Sequence, residues 1–163
     1  RDLTAGDIFS IQDDIAESVA GAIASSSGAM DIFELRDMET KAPEALSSYE
    51  CVLQAAEYWR VITPDVHLSA RTCLEKVTED DPSYAPAWSA LGNITIDEML
   101  YGYNPRPNLR PPMDRAQEYI KRAIDLDATF AWSRLILAKV AFYKHNMPLF
   151  HSEIDRALQL LPQ

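Results

Sequence analysis

The residues of this 163-residue chain whose types could carry chemistry are three histidines (His67, His145, His151), two cysteines (Cys51, Cys73) and the acidic run Glu79-Asp80-Asp81. A zinc centre needs several such side chains converging at short, regular spacings. His145 and His151 instead straddle a Pro-containing turn with no Cys or carboxylate at ligand spacing. All three histidines are therefore expected to be solvent-exposed structural residues. The acidic run closes a helical pattern beside Pro82, where a solvated face is a simpler reading than a cation site. Two cysteines are too few for a disulfide framework. Both fall in helical patterns, so they are expected as small buried thiols rather than a disulfide or a redox pair, in a reducing cytoplasm. No Gly-rich phosphate loop, Ser/His/Asp set or Cys/His pair stands in a context that would give chemistry. The expectation is a chain with no catalytic residue, no metal and no cofactor.

Charge narrows the partners. The formal net charge is −10, from 15 Lys and Arg against 25 Asp and Glu, with no basic cluster to offset it. Nucleic acid and anionic lipid both require such clusters, so direct binding to either is not expected. A basic or neutral protein segment suits the chain better. Apolar residues at 47% are enough for one core, and no apolar run reaches the roughly 18 residues of a membrane span. The chain opens Arg1-Asp2-Leu3 without an initiator Met, which leads to the expectation of a piece of a longer protein.

The elements that would position these residues read as helices throughout. Ile8, Ile11, Ile15, Val19, Ala22 and Ile23 form one stripe over residues 8–24, with Asp7 as its cap. Residues 28–43 read as a linker. A second helix is expected over residues 44–61 from Leu46, Tyr49, Val52, Leu53, Ala56 and Trp59. Thr63-Pro64-Asp65 combines a cap, a first-turn Pro and an acid, and opens a third helix reaching residue 79. Ser83 is expected to cap a fourth over 84–100. Four prolines then exclude helix from residues 101–112. A fifth helix is expected over 113–126 and a sixth, capped by Thr129, up to residue 144. Asn146-Met147-Pro148 opens a seventh reaching residue 161. The chain is all-α.

These helices repeat. Ala116, Ile120, Ala123, Leu126 and Ala128 recur 34 residues later as Phe150, Ile154, Ala157, Leu160 and Pro162. Ala70, Leu74, Val77, Asp81, Tyr84 and Ala85 reappear 46 residues on as Ala116, Ile120, Ala123, Asp127, Phe130 and Ala131. The excess of 12 residues is the length of the 101–112 insertion. Three helix pairs result, at 44–82, 83–128 and 129–163, behind an N-terminal helix and linker at 1–43.

A period of 34 residues, with Trp88, Leu91-Gly92, Ala116, Ile120 and Ala123 in one unit and Leu137-Ala138, Ala141, Ile154, Ala157 and Pro162 in the next, resembles the tetratricopeptide (TPR) family. The resemblance implies a right-handed superhelix of antiparallel helix pairs, about seven helices in all, used to hold partners rather than to do chemistry. It departs from the family pattern at Ala128, at Phe150 and in the first pair, which lacks Leu-Gly. At the front, Asp7-Ile8-Phe9-Ser10-Ile11-Gln12-Asp13-Asp14-Ile15 resembles a segment of a bacterial family, and Ser48-Tyr49-Glu50-Cys51-Val52-Leu53-Gln54-Ala55 resembles the opening of that family's TPR array. There a class III adenylate/guanylate cyclase domain, or a winged-helix DNA-binding domain, precedes a TolB-like region and TPR units. The resemblance implies that this chain is a regulatory tail of such a protein, with the catalytic or DNA-reading part elsewhere.

First helices of TPR pairs line a concave groove. Counting from Trp88, the partner groove is expected to be lined by Trp59, Arg60, Ser89, Asn93, Asp97, Lys139, Phe142 and Tyr143. Asn93 with Lys139 could hold a peptide carboxylate, although Asp97 opposes it; an ordinary mixed groove is the plainer alternative. The apolar members could equally pack beneath the helix at 8–24. The 101–112 loop is either a recognition segment or a tolerated insertion. Leu158, Leu160 and Leu161 leave the last helix apolar, so self-association as a homodimer, or a longer parent chain, is expected alongside a protein or peptide partner.

Overall fold

The computed structural model describes residues 47–160, all of them helical or connecting segments with no strand. The helix expected over residues 8–24 and its linker lie outside the described residues. Six helices follow in order: α1 Ser48–Tyr58, α2 Pro64–Asp80, α3 Ala85–Tyr101, α4 Pro112–Leu126, α5 Ala131–Tyr143 and α6 Met147–Leu160. None is long and apolar enough to cross a membrane.

Local chemistry accounts for most of the boundaries. Ser47 caps α1 in a reciprocal box: its Oγ accepts from the Glu50 amide at 3.3 Å, and Glu50 accepts from the Ser47 amide at 2.7 Å. Thr63 accepts from Val66 and Pro64 takes the first turn of α2. Asn146 accepts from the Leu149 amide at the start of α6, 3.2 Å away. Two expected caps act otherwise. Ser83 and Thr129 each donate backward, to Asp81 at 2.6 Å and Asp127 at 2.7 Å, tightening the turns before α3 and α5. Tyr84 and Phe130 occupy the cap positions, with no side-chain bond to the helix. An Asp two residues earlier competes for the same hydroxyl, and it wins because it is charged.

The helices pack as successive pairs. α1 lies on α2, α3 on α4 and α5 on α6; α2 also touches α3, and α4 touches α5. The leading helices contact one another as well, α1 with α3 and α3 with α5. One apolar cluster joins Cys51, Ala55 and Tyr58 of α1 to Ala70, Leu74 and Val77 of α2 and Leu91 and Ile94 of α3. A second joins Ile96 to Ala116 and Ile120 of α4 and to Ile136, Leu137 and Val140 of α5. Helix α3 serves both, and every residue from Ser89 to Glu98 is buried.

Close approach is what small residues provide. A Cβ added at Gly92 would overlap the Ile120 side chain and stand 3.3 Å from the Ala116 carbonyl oxygen. The Ile120 side chain of α4 therefore occupies the space that a methyl group on Gly92 would need, with the α4 backbone close behind it.

The cysteines depart from expectation. Cys51 and Cys73 form a disulfide between α1 and α2, with their Cα atoms 5.5 Å apart across 22 residues of sequence. Helical patterning placed both inside, correctly, but only the pairing of α1 with α2 brings the sulfurs within bonding reach.

Gly92→Ala sets two effects against each other. Alanine gains about 1 kcal/mol of helix propensity, whereas forcing a methyl into a filled interface costs about 1 to 3 kcal/mol. With Ile120 already in the space, the overlap wins. Urea unfolding is expected to show the variant less stable, with an unchanged slope.

Candidate functional site

The polar side chains gather around α3. Arg71 of α2 and Arg115 of α4 both donate to Glu98, one to each carboxylate oxygen, and all three side chains are within 5% of full burial. Two buried guanidiniums thus share a single carboxylate. The inserted loop closes this cluster from outside. Gly102, at φ 67°, ends α3 in the left-handed region, and Asn104 at φ 47° turns the chain back over α2. The Asn104 carbonyl accepts from Arg71 at 2.9 Å, and its amide donates to the Pro64 carbonyl at 2.7 Å. Arg106 makes a two-pronged bond to Glu75, with Nη2 to Oε2 at 2.7 Å. Arg115 reaches the Arg110 carbonyl at 3.0 Å. The loop is fastened at several points to α2 and α4.

His67 sits beneath that loop, fully buried rather than exposed as expected. Its Nε2 lies 3.0 Å from the Ile94 carbonyl, and the Asn104 side-chain amide lies 3.1 Å from Nδ1. A carbonyl only accepts and an amide NH₂ only donates, so the neutral ring with its proton on Nε2 fits both partners. Burial holds the His67 pKa below its ordinary value. His145 and His151 are exposed.

The residues expected in the groove divide into two groups. Ser89, Asn93 and Asp97 are interior. Ser89 bonds Ser133 of α5 at 2.5 Å. Lys139 of α5 donates to Asn93 at 3.0 Å and lies 3.8 Å from Asp97. Burial pushes the Asp97 carboxyl above the usual range, and Lys139 pulls it back down. The Tyr58 hydroxyl is buried beside Asp97, and burial with that neighbouring charge pushes it up. The second group faces outward. Arg60 is exposed and pairs with Glu57 at 3.2 Å. Phe142 and Tyr143 are 50% and 37% exposed. Trp59 is half-buried, edge-on to Trp132 with ring centres 6.3 Å apart. The Asn93 and Lys139 pair is thus in contact, as a carboxylate clamp would need, but the ammonium already has Asp97 beside it.

The Arg71, Glu98 and Arg115 cluster was not anticipated, though one trace was legible. His67 and Arg71 stand at helical spacing with Ala70, Leu74 and Val77 on the buried stripe of α2, and polar residues on such a stripe need buried partners. Among the described residues, no group of three or more His, Cys, Asp or Glu could hold a metal ion. No protein-family model matches the chain, and no curated protein matches it.

Two measurements follow from this geometry. Glu98→Gln leaves two buried guanidiniums without a counter-charge and is expected to cost about 3 to 5 kcal/mol in denaturant unfolding. Glu118→Gln, which breaks an exposed pair with Arg110, is expected to change stability by less than about 1 kcal/mol. The second concerns pH. His67 has its folded pKa depressed below 6.5, so between that folded value and 6.5 the unfolded chain binds more protons than the folded one. Stability is then complete above 6.5 and is lost as pH falls through that window. Protonation would also turn Nδ1 into a donor facing the Asn104 amide. Urea midpoints measured on either side of pH 6.5 should drop on the acid side, and His67→Gln should flatten that part of the profile.

Proposed function

We propose that this chain is a non-catalytic TPR-type interaction and regulatory module of a larger bacterial signalling protein, a nucleotide cyclase by the resemblance of residues 7–16. The observation that carries the reading is the packing order, with leading helices in mutual contact and each trailing helix bridging to the next pair. The backbone approach at Gly92 supports it, because that glycine stands where the TPR pattern demands one. In this reading the array is a right-handed superhelix in the cytoplasm and turns over neither ATP nor GTP by itself. It takes no cofactor, nucleic acid or membrane, and it regulates by holding a protein segment or a second copy of itself.

The surface left for a partner is aromatic. Phe142 and Tyr143 at the end of α5 meet edge to face with ring centres 5.5 Å apart, and Phe142 also meets Phe150 of α6. Exposed aromatic side chains that a partner buries carry much of the energy in protein interfaces. The polar positions Ser89, Asn93 and Asp97 instead join α3 to α5.

The test uses the intact parent protein in a pull-down alongside its Phe142→Asp/Tyr143→Asp variant. The wild type is expected to retain a partner that the variant loses, with helicity and thermal midpoint unchanged. Equal retention by both would remove this surface from the proposal, and cyclase turnover by the isolated chain would remove the non-catalytic reading.

A further inference from the structure

The two halves of the inserted loop are fastened by different chemistry. The far half is held by charged side chains: Arg106 on Glu75, Arg110 on Glu118, and Arg115 on the Arg110 carbonyl. Residues 102–104 are held through Asn104 instead. Its side-chain nitrogen donates to two acceptors, the Pro64 carbonyl at 2.7 Å and His67 Nδ1 at 3.1 Å, while its own carbonyl accepts from Arg71 at 2.9 Å. The Tyr103 ring meets the His67 ring with centres 6.0 Å apart. This arrangement fits one protonation state only. Nε2 must carry a proton to bond the Ile94 carbonyl, so Nδ1 accepts only while the ring is neutral. In the imidazolium Nδ1 becomes a donor, and the Asn104 nitrogen opposite it is a donor too. Turning the amide over would offer an oxygen to His67 but set that oxygen against the Pro64 carbonyl. No orientation of the Asn104 amide satisfies both neighbours once His67 is charged.

The groups around His67 do not remove this conflict. Tyr58 of α1 and Tyr103 of the loop present ring edges or faces to it. Arg71, one turn along α2, adds a positive charge. On α3, Glu98 is already shared by Arg71 and Arg115, and Asp97 lies 3.8 Å from Lys139. Burial lowers the His67 pKa most and Arg71 lowers it further, with the Ile94 carbonyl, Glu98 and Asp97 offsetting only part of this. We propose that His67 and Asn104 form a proton-operated clasp on residues 102–104. Neutral His67 keeps the segment closed over α2; an imidazolium releases Asn104, and the segment swings out about Gly102 and Pro105 while the far half stays fastened. Asn104 has φ 47°, a conformation that residues with a side chain adopt at a cost, so release also relaxes the backbone. Opening breaks the bond from Arg71 to the Asn104 carbonyl and lets water reach Nδ1. The clasp lies within α2, α3 and the loop, so it does not depend on the identity of the parent protein.

The experiment is a pH titration of the whole isotope-labelled chain, followed by NMR from about pH 7.5 downward. The backbone order parameter at residues 102–104 is expected to fall from about 0.85 to below about 0.6 in the same step that protonates His67. At residues 106–111 and in α1 to α6 it should change by less than about 0.1 in that step. His67→Gln offers an oxygen to Asn104 and an N–H to Ile94 but cannot become charged, so residues 102–104 should stay ordered throughout. Asn104→Gly serves if that variant misfolds: it keeps the left-handed turn and removes the amide. There residues 102–104 should be mobile at every pH, and His67 should titrate closer to its ordinary value. Protonation of His67 without loss of order at 102–104, a loss that His67→Gln shares, or simultaneous loss in all six helices would each overturn the clasp.

Discussion

One helix whose central stretch has no outside face governs this structure. α3 touches α1, α2, α4 and α5, and every residue from Ser89 to Glu98 is buried. A helix buried all round must match every polar group it carries, because an unmatched one costs more than a typical hydrogen bond returns. The matches are specific. Ser89 meets Ser133, Asn93 meets Lys139, Thr95 turns back to the Leu91 carbonyl, and Glu98 takes two guanidiniums. Each bond that leaves α3 also fixes the height of a neighbouring helix. The charged contacts set register, while the apolar clusters on either side supply most of the driving force.

The inserted loop belongs to the same problem. Two arginines against one carboxylate leave a positive excess in a buried place, and the loop brings carbonyl oxygens to it. Asn104 offers one to Arg71, and Arg110 offers one to Arg115. A loop that only spanned a gap would need none of these bonds. Here its backbone completes the coordination of side chains on α2 and α4, and its Arg106 is in turn held by Glu75. The insertion has become a lid over the charged interior.

For function, the consequence is a division of labour among positions that look alike in sequence. Polar residues of the leading helices are consumed by helix-to-helix bonds, and aromatic ones at the ends of α1 and α5 remain for contact. Trp59 with Trp132 and Phe142 with Tyr143 are two pairs of large, partly solvated aromatic side chains, which suits surfaces that partners close over.

Much of the architecture was legible beforehand because helices obey local rules. Periodic apolar stripes, Pro64 at a first turn, and the cap at Thr63 depend on residues within one turn of each other, so the order and approximate bounds of α1 to α6 could be read directly; Pro112, expected in the loop, instead opens α4. Gly92 was legible too, since only a missing side chain permits the contact it makes. The 46-residue offset exposed the insertion by arithmetic alone. Pairings across long separations were another matter. Cys51 with Cys73, His67 with Asn104, and Arg71 and Arg115 with Glu98 join residues 17 to 37 positions apart, on faces whose rotation about the helix axis no local pattern specifies. Sequence placed the two cysteines inside; tertiary packing decided that they meet, and it also buried His67, Arg71, Glu98 and Arg115. Burial follows from one helix's own stripe, whereas partnership depends on how two helices are turned and shifted against each other.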